Sequence, residues 1–382
     1  MKIEVSSEIA DFAGIWPVLD QPGPHCAYAF QTRDVLEVWL RTIGAARRIQ
    51  PVFVCVSAPD GTPVMLLPLG IERQRGLRIL RFLDGGVSDY NAPVLFPGAD
   101  VIEAEEMRRL WAEIAGHLPW FDVAILDKIP ADVTGMRNPL QALTPIADLY
   151  SGHLIRLNVK AGGAKDQAKQ FRFSDGPRKR RKLDALAVAR NFIATEPADI
   201  ARVMAEFIRQ KTRRYVETRG TDGFDRPGYR EYYHLMVERF CATGHVQVSA
   251  FLSGETPIAA HWGIVTRDRF YSLMPAHEFG SWAKFSPGLL HLEEMIAWSL
   301  ANGIGTFDLG VGDESYKLRI ENEQLPLFRG QHAKTAAGTI YVLLSAARRR
   351  LAAGPLGRAV RAHRKSRVGK TGRSGAGRDP AE

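Results

Sequence analysis

The chain has 382 residues, of which 45% are hydrophobic and 24% are charged. This composition is that of an ordinary globular protein and excludes a disordered chain or a fibrous repeat, while the length favours two domains over one. The net charge of +9 lies in the tail, because residues 348–382 contain eleven Lys or Arg and two acids, leaving 40 charges of each sign elsewhere.

Cysteine usage and hydropathy indicate a reducing, intracellular setting. Cys26, Cys55 and Cys241 form no CxxC pair, so we predict neither a metal site nor a disulfide framework. The N-terminal residues have no apolar core typical of a secretory signal, and no run of 18 apolar residues occurs. We expect a cytoplasmic protein, peripheral to the inner face of the membrane if the basic tail binds there.

The first half of the chain contains a helix, a hairpin and a closing strand. A Thr cap, apolar residues at helical spacing and a final glycine predict the helix, and β-rich runs around Pro-Asp-Gly-Thr predict the hairpin. The predicted elements are a helix over 32–44, strands over 51–57, 63–71 and 77–83, a loop over 84–93, a helix near 101–117 and a strand over 120–126.

The second half repeats this order. A helix over 227–244 is followed by strands over 246–252, 257–265 and 269–275, a helix over 287–302 and a strand over 305–310. Both hairpins have a glycine shortly before a proline, and Phe-Asp recurs in both closing strands. So long a period predicts two related domains rather than a solenoid. We place them at 1–155 and 156–335, with a short helix and a basic, disordered tail over 336–382.

The helix after Phe285 is suited to binding an anion. Ser286 and Pro287 are a predicted cap and first-turn proline, and free N–H groups at such a helix start attract phosphates. Lys284 adds a cation. The basic run Arg178–Lys182 is a second candidate for phosphate binding, although a solvated helix face is the favoured interpretation.

Acidic and hydroxyl side chains gather after the following strand. Asp308 lies in that strand, and Asp313, Glu314, Tyr316 and Lys317 follow within a few residues. In α/β sheets the ligand site lies at the carboxyl ends of the strands. The alternative is a solvated turn with one helix cap.

These motifs together resemble the acetyltransferase domain of the CelD-type proteins of cellulose biosynthesis, a branch of the GNAT superfamily related to the FemABX peptidyltransferases. The resemblance is carried by PIAAH (257–261), FSPGLL (285–290), FDLG (307–310) and GDExYK (312–317), and in the first half by LPL (67–69) and SDYNAP (88–93). It implies an α/β (α+β) fold of two tandem GNAT-like domains, each a mixed, mostly antiparallel sheet flanked by helices.

The resemblance also implies an acyl-CoA-dependent N-acyltransferase, with acetyl-CoA or another acyl-CoA as donor. The usual pyrophosphate loop, Q/R-x-x-G-x-G/A, is replaced by FGSWAKFSPG (279–288). The resemblance therefore supports acyl transfer more strongly than it supports acetyl-CoA as the donor. We assign donor binding to Lys284, Ser286, Gly288 and Leu289.

Thioester aminolysis needs a base, an oxyanion donor and a proton for the thiolate. As a hypothesis, backbone N–H groups near Met274–His277 receive the oxyanion and Tyr316 protonates the thiolate. Asp308 or Glu314 is the base or the anchor of the amine. His261 is a further base, against the more frequent interpretation of a packed strand histidine.

The acceptor is assigned to a cleft between the domains. Asp89 and Tyr90 are candidates to line it, with a turn role for the loop as the alternative. Lys317 contacts a phosphate or sugar acid, or else completes an ion pair.

Three functions remain open. The leading one is N-acylation of an amine, such as an amino sugar, in exopolysaccharide or envelope metabolism. The second is a FemABX-like aminoacyl transfer from charged tRNA, and the third a non-catalytic GNAT-fold scaffold in a polysaccharide-synthesis complex. The basic tail would bind an anionic membrane surface or polymer, and nucleic acid is expected only in the tRNA alternative.

Overall fold

A computed structural model describes residues 1–159 and 164–353. The predicted disordered tail lies outside these residues beyond position 353. Within the described ranges, no helix is long and apolar enough to cross a membrane.

Nine helices lie within the described residues. They are α1 (Arg33–Trp39), α2 (Ala104–His117), α3 (Ala164–Gln170), α4 (Gly176–Asp184), α5 (Pro197–Arg219), α6 (Tyr229–Phe240), α7 (Pro287–Ala301), α8 (Lys317–Ile320) and α9 (Ala336–Ala353). The predicted helix over 32–44 is α1 continued by a π-helical turn, Leu40–Gly44.

The described residues also form 17 strands. The first nine are β1 (Lys2–Ser6), β2 (Gln50–Ser57), β3 (Pro63–Gln74), β4 (Leu77–Phe82), β5 (Val94–Leu95), β6 (Val123–Pro130), β7 (Asp132–Val133), β8 (Met136–Arg137) and β9 (Ile146–Ala147). The others are β10 (Gly152–Arg156), β11 (Ala189–Ile193), β12 (Val246–Ser253), β13 (Thr256–Val265), β14 (Arg269–His277), β15 (Thr306–Val311), β16 (Glu323–Leu325) and β17 (Leu327–Ala333).

Two large sheets share one strand pattern. The first has the order β1-β2-β3-β4-β6-β17-β9, with β5 beside β3, and the second has the order β11-β12-β13-β14-β15-β10-β16. In each, antiparallel pairs lie on both sides of one parallel pair, β4 with β6 and β14 with β15. The predicted fold class, two mixed and mostly antiparallel sheets flanked by helices, is confirmed.

The two hairpins share a register shift and a left-handed glycine. Each has a register shift beside its turn, at Val56/Ser57 in the first and Phe251/Leu252 in the second. Gly61 and Gly254 have φ values of 89° and 58° in these turns, a conformation that favours glycine. Both hairpins therefore have a bulge and a left-handed glycine, but their loops differ in length, spanning 58–62 in the first and 254–255 in the second.

Each sheet contains one strand that comes from the other half of the sequence. β10 pairs with β15 and β16, so residues 152–156 belong to the second sheet and not to the first domain. β17 pairs with β6 and β9, so residues 327–333 belong to the first sheet. Strand pairing thus divides the domains differently from the predicted boundaries at 155 and 335, because the edges of both sheets are completed by segments distant in sequence.

The two halves pack through a continuous core. A single cluster of buried residues includes side chains of both sheets, among them Tyr90, Trp262 and Tyr271. Gly228, at the start of α6, lies against the backbone of Ile43, where a Cβ atom would be 2.6 Å from the Ile43 Cα. Such close packing fixes the first domain against the strands that carry the site.

Candidate functional site

The parallel strands β14 and β15 separate at the carboxyl end of the second sheet. The pairing begins with Arg269 opposite Thr306. It ends with Tyr271 opposite Asp308. α7 connects the two strands, and a cavity of about 400 Å³ lies between β14, α7 and the segment after β15. Most of its wall is apolar, with Ala260, Ala276, Leu289, Leu292 and Met295 among the lining residues.

The start of α7 forms one end of this cavity. Ser286 has a left-handed backbone, with φ of 51°, and its carbonyl accepts the N–H groups of Leu289 and Leu290. Its hydroxyl makes no capping bond and instead accepts from the Lys179 Nζ at 2.7 Å. The predicted side-chain cap is therefore wrong, and an ammonium group stands at the helix N-terminus in addition to the helix dipole.

Three of the four predicted donor-binding residues line the cavity: Ser286, Gly288 and Leu289. At Gly288 a Cβ atom would be only 2.9 Å from the His277 Nδ1, so the position has little room for a side chain. Lys284 is different, because its exposed side chain lies over the Phe285 ring at 5.1 Å and does not line the cavity. Lys179 occupies the position predicted for that cation.

His261 lies in the cavity wall as a buried, neutral side chain. Its Nε2 is 2.9 Å from the Ser272 Oγ, and among residues 1–159 and 164–353 its Nδ1 has no hydrogen-bond partner. Burial and the neighbouring His291 lower the pKa of His261 well below its ordinary value, and burial lowers that of His291 to about 3. A group so reluctant to be protonated is a poor general base at neutral pH.

Tyr316 is the hydroxyl group at the opposite wall. Burial, with the charges of Glu314 and Asp89, raises the pKa of Tyr316 above its ordinary value, so its hydroxyl keeps the proton. Lys317 is buried behind it, and its Nζ contacts the carbonyl oxygens of Gly310 and Val311 at 3.3 and 3.1 Å and Glu314 at 3.0 Å. These contacts are those of an ion pair that holds the turn.

Asp308 connects the two domains. The carboxyl group is 1% exposed, and its Oδ1 accepts from the Tyr90 hydroxyl and the Gly310 N–H, both at 2.8 Å. Its Oδ2 lies 3.5 Å from the Arg269 Nη1. The Arg269 guanidinium lies over the rings of Tyr28 and Tyr271. Asp308 does not line the cavity, and Tyr90 is its partner rather than an open acceptor contact.

Asp89 is the ionisable carboxyl group brought in from the first domain. It is half-buried and lies against Gly310, whose φ of 73° and proximity to the Asp89 Oδ2 leave no room for a Cβ atom. Burial and the charge of Asp308 raise the pKa of Asp89 to about 6, while Lys128, Lys317 and the Val311 backbone favour the charged form. Such a value suits proton transfer near neutral pH, but Asp89, like Asp308, is not among the residues that line the cavity.

One backbone donor of the predicted oxyanion stretch faces the cavity side of β14. The Glu278 N–H donates to the Ile258 carbonyl, toward β13. Backbone N–H groups alternate along a strand, so the His277 N–H points to the opposite side. Residue 275 is a proline, which has no N–H. Within the stretch Met274–His277 that was predicted to hold the oxyanion, His277 therefore provides the available backbone N–H donor.

Comparison with known families identifies the region that holds this cavity. Residues 174–318 match the family model described as "Acetyltransferase (GNAT) domain". This region is similar to GNAT acetyltransferase domains. The prediction of an acyltransferase is thereby confirmed, and α7, Asp308, Tyr316 and most of the residues lining the cavity lie within the matched region.

Solved structures of low identity align with most of this chain. FemX aligns with a TM-score of 0.53 and 10% identity, over 83% of this chain and 94% of that one. The C-terminal domain of a putative lysylphosphatidylglycerol synthetase from Agrobacterium fabrum has a TM-score of 0.45 and 12% identity, over 82% and 96%. A tandem GNAT protein from the clavulanic acid biosynthesis pathway has a TM-score of 0.41 and 10% identity, over 87% and 98%. No curated protein matches the sequence.

Sequence reasoning did not assign two cations, Lys179 and Arg319, to the site at the start of α7. Lys179 belongs to the basic run, but nothing in the sequence relates it to Ser286, which follows 107 residues later. Arg319 lines the cavity beside Tyr316, and its guanidinium lies 4.9 Å from the centre of the Phe173 ring. Its position two residues after Lys317 was the available signal.

Proposed function

We propose that this protein transfers an acyl group from an acyl-CoA thioester to the amine of a small molecule or glycan. The observation that carries the proposal is the cavity of about 400 Å³, whose wall is mostly apolar and which ends at the α7 N-terminus beside Lys179. An apolar arm fits such a wall, and a pyrophosphate fits a helix N-terminus with an adjacent ammonium group.

The acceptor ammonium must lose a proton before it attacks the thioester carbonyl. We assign this step to Asp89, whose pKa of about 6 leaves it largely ionised at neutral pH yet still basic enough to accept a proton. Glu314, more exposed and paired with Lys317, is the second carboxylate that can hold the incoming amine. Asp308 is a positioning residue that holds Tyr90 and the loop bearing Asp89.

Attack of the nitrogen on the carbonyl carbon forms a tetrahedral intermediate with a negatively charged oxygen. The His277 N–H is the proposed donor to that oxygen. When the carbon–sulfur bond breaks, Tyr316 gives its proton to the departing thiolate, and its raised pKa ensures that this proton is present. The attacking nitrogen releases its second proton to solvent as the amide forms, Asp89 gives up the proton it accepted, and the tyrosine is reprotonated from solvent.

The proposed acceptor is an amino sugar of exopolysaccharide or envelope metabolism, the class implied by the resemblance to CelD-type proteins. We place the enzyme in the cytoplasm, with its basic tail, from Arg348 onward, as the proposed contact to an anionic membrane surface or polymer. A FemABX-like aminoacyl-tRNA donor is the alternative, favoured by the exposed side chains of Arg178, Arg181 and Lys182 on α4.

Donor binding can be tested with two neighbouring lysine and arginine variants. Lys179→Ala removes the ammonium group at the α7 N-terminus, whereas Arg178→Ala removes an exposed cation from the same helix. We expect acetyl-CoA to raise the melting temperature of the wild type, because a ligand that binds only the native state stabilises it. Lys179→Ala should weaken binding about tenfold, in the range of one charge-assisted contact, and Arg178→Ala should not.

The same thermal-shift assay includes longer acyl-CoAs and tRNA. A shift with tRNA and none with any CoA ester would replace the proposed donor with the alternative one. Equal effects of the two substitutions on CoA binding would remove Lys179 from the donor site.

A further inference from the structure

The last described helix, α9, packs on the first sheet through one face only. Tyr341 and Val342 contact the buried cluster formed by Ile79, Val123 and Ile125. On the same side, Ser345 and Arg349 bond the Gln331 side chain of β17. These contacts fix the rotation of the helix, and therefore determine which side chains point away from the protein.

The opposite face is an exposed apolar stripe. We define the outer stripe as Ile340, Leu343, Leu344, Ala347 and Leu351. Its four large members are 59%, 64%, 58% and 71% exposed in chain order. Steps of three and four residues place all five on one side of the helix. Single exposed apolar side chains are normal on a protein surface, but a continuous row on one helix indicates a contact surface.

The charge beside the stripe indicates the kind of partner. α9 contains no acidic residue, and Arg348 and Arg350 are exposed near its end. From Arg348 onward the sequence holds eleven Lys or Arg and two acids. A partner that accepts both an apolar row and this excess of positive charge must be apolar within and anionic outside. A bilayer containing acidic lipids has both properties.

We propose that α9 docks the protein on an anionic lipid bilayer, with the outer stripe inserted between the headgroups and with Arg348 and Arg350 on the acidic lipids. This docking goes beyond acyl transfer and does not depend on it. The helix lies in the plane of the interface, consistent with its other face being occupied by the first sheet.

The experiment uses the full-length protein and vesicles made of equal parts phosphatidylglycerol and phosphatidylcholine. Co-sedimentation is measured for the wild type, for Leu343→Ser/Leu344→Ser, and for the control Leu186→Ser/Val188→Ser. The control removes two side chains that are 64% and 72% exposed on the other domain. We expect the stripe variant to partition less, on the order of tenfold or more, and the control to partition like the wild type.

Ionic strength and vesicle composition complete the test. Binding by the wild type should fall with added salt and with pure phosphatidylcholine vesicles, because both reduce attraction between the arginines and the surface. Binding that is lost in salt but insensitive to the stripe substitutions would overturn the proposal, since charge alone would then suffice.

Absence of vesicle binding would overturn the proposal too. A dimer in light scattering that the stripe substitutions convert to a monomer would assign the face to a second copy of the chain instead. Acyl transfer to a soluble amine by the same variants separates the two proposals, because docking can fail while transfer persists.

Discussion

At the scale of single residues, the site depends on two carboxyl groups that meet across the domain interface. Asp308 is fully enclosed, with the Tyr90 hydroxyl and the Gly310 N–H on one oxygen and Arg269 near the other. Asp89 lies beside it with fewer compensating contacts, and their mutual repulsion helps to raise the pKa of Asp89. Asp308 therefore links the two domains, whereas Asp89 is able to exchange a proton.

Asp89→Asn should abolish the basic group while preserving the shape of the side chain. We expect kcat to fall on the order of 10²- to 10⁴-fold, the range of general-base catalysis. In the wild type, kcat/KM should rise with pH through about 6 as Asp89 loses its proton, and the variant should lack this rise. An unchanged pH profile in the variant would exclude Asp89 as the base.

The stability of the same variant provides an independent check on the pKa of Asp89. A carboxyl group whose pKa is higher in the folded than in the unfolded state binds more protons when folded, so its contribution to stability is lost as pH rises from about 4 to above 6. Asn has no such loss. Urea unfolding at pH 4 and pH 7.5 measures the free energy of unfolding of both proteins. Between these pH values the difference between variant and wild type should change by roughly 1–3 kcal/mol in favour of the variant.

Tyr316→Phe removes the proposed acid without changing the ring. We expect kcat with acyl-CoA to fall on the order of 10²-fold, with little change in donor affinity. A thioester of an acidic aromatic thiol should restore much of the rate, because its thiolate leaves without a proton. Equal losses with both donors would indicate that the hydroxyl positions the substrate and donates no proton.

How far the sequence predicts the site depends on how local each signal is. Tyr316 and Gly288 sit in short motifs, and both line the cavity. The hydrogen bond between Lys179 and Ser286, and that between Tyr90 and Asp308, join residues more than a hundred positions apart. The polarity of the sequence also does not distinguish the roles of Asp308 and Asp89, because the two residues differ in how deeply the fold buries them.

At the scale of elements, periodicity predicts those strands and helices whose neighbours follow in sequence. The two hairpins, α7 and β15 were all predicted close to their observed bounds. β10 and β17 were not, because each is short and pairs with strands more than a hundred residues away. A five-residue strand such as β10 has no local sequence pattern that predicts which sheet it joins.

α9 offers an element-scale test with adjacent residues. Val342 packs on the buried cluster of β4 and β6, whereas Leu343 points outward. We expect Val342→Ser to lower the free energy of unfolding by about 1–3 kcal/mol and Leu343→Ser to change it by less than about 0.5 kcal/mol. Chemical denaturation measures both. Equal losses would mean that the outer stripe is buried against the protein.

At the scale of the whole molecule, the two sheets act as one unit. The second sheet provides the proposed donor cavity, and the loop over 84–93 of the first sheet places Asp89 against Gly310 of β15. Strand exchange through β10 and β17 ties the domains together, so Asp89 and Tyr316, the proposed base and acid, keep a fixed relation. Sequence repetition predicted the two related sheets, but this exchange follows only from the pairing itself.

Hydrogen exchange of the full-length protein with and without acetyl-CoA tests the central claim most directly. Bound donor should slow exchange in the segments that enclose the cavity, residues 286–292 and 315–320, and leave β2 in the first sheet unchanged. Protection confined to these segments is the result we predict. No protection there, or protection only in the first sheet, would contradict a donor site at the start of α7.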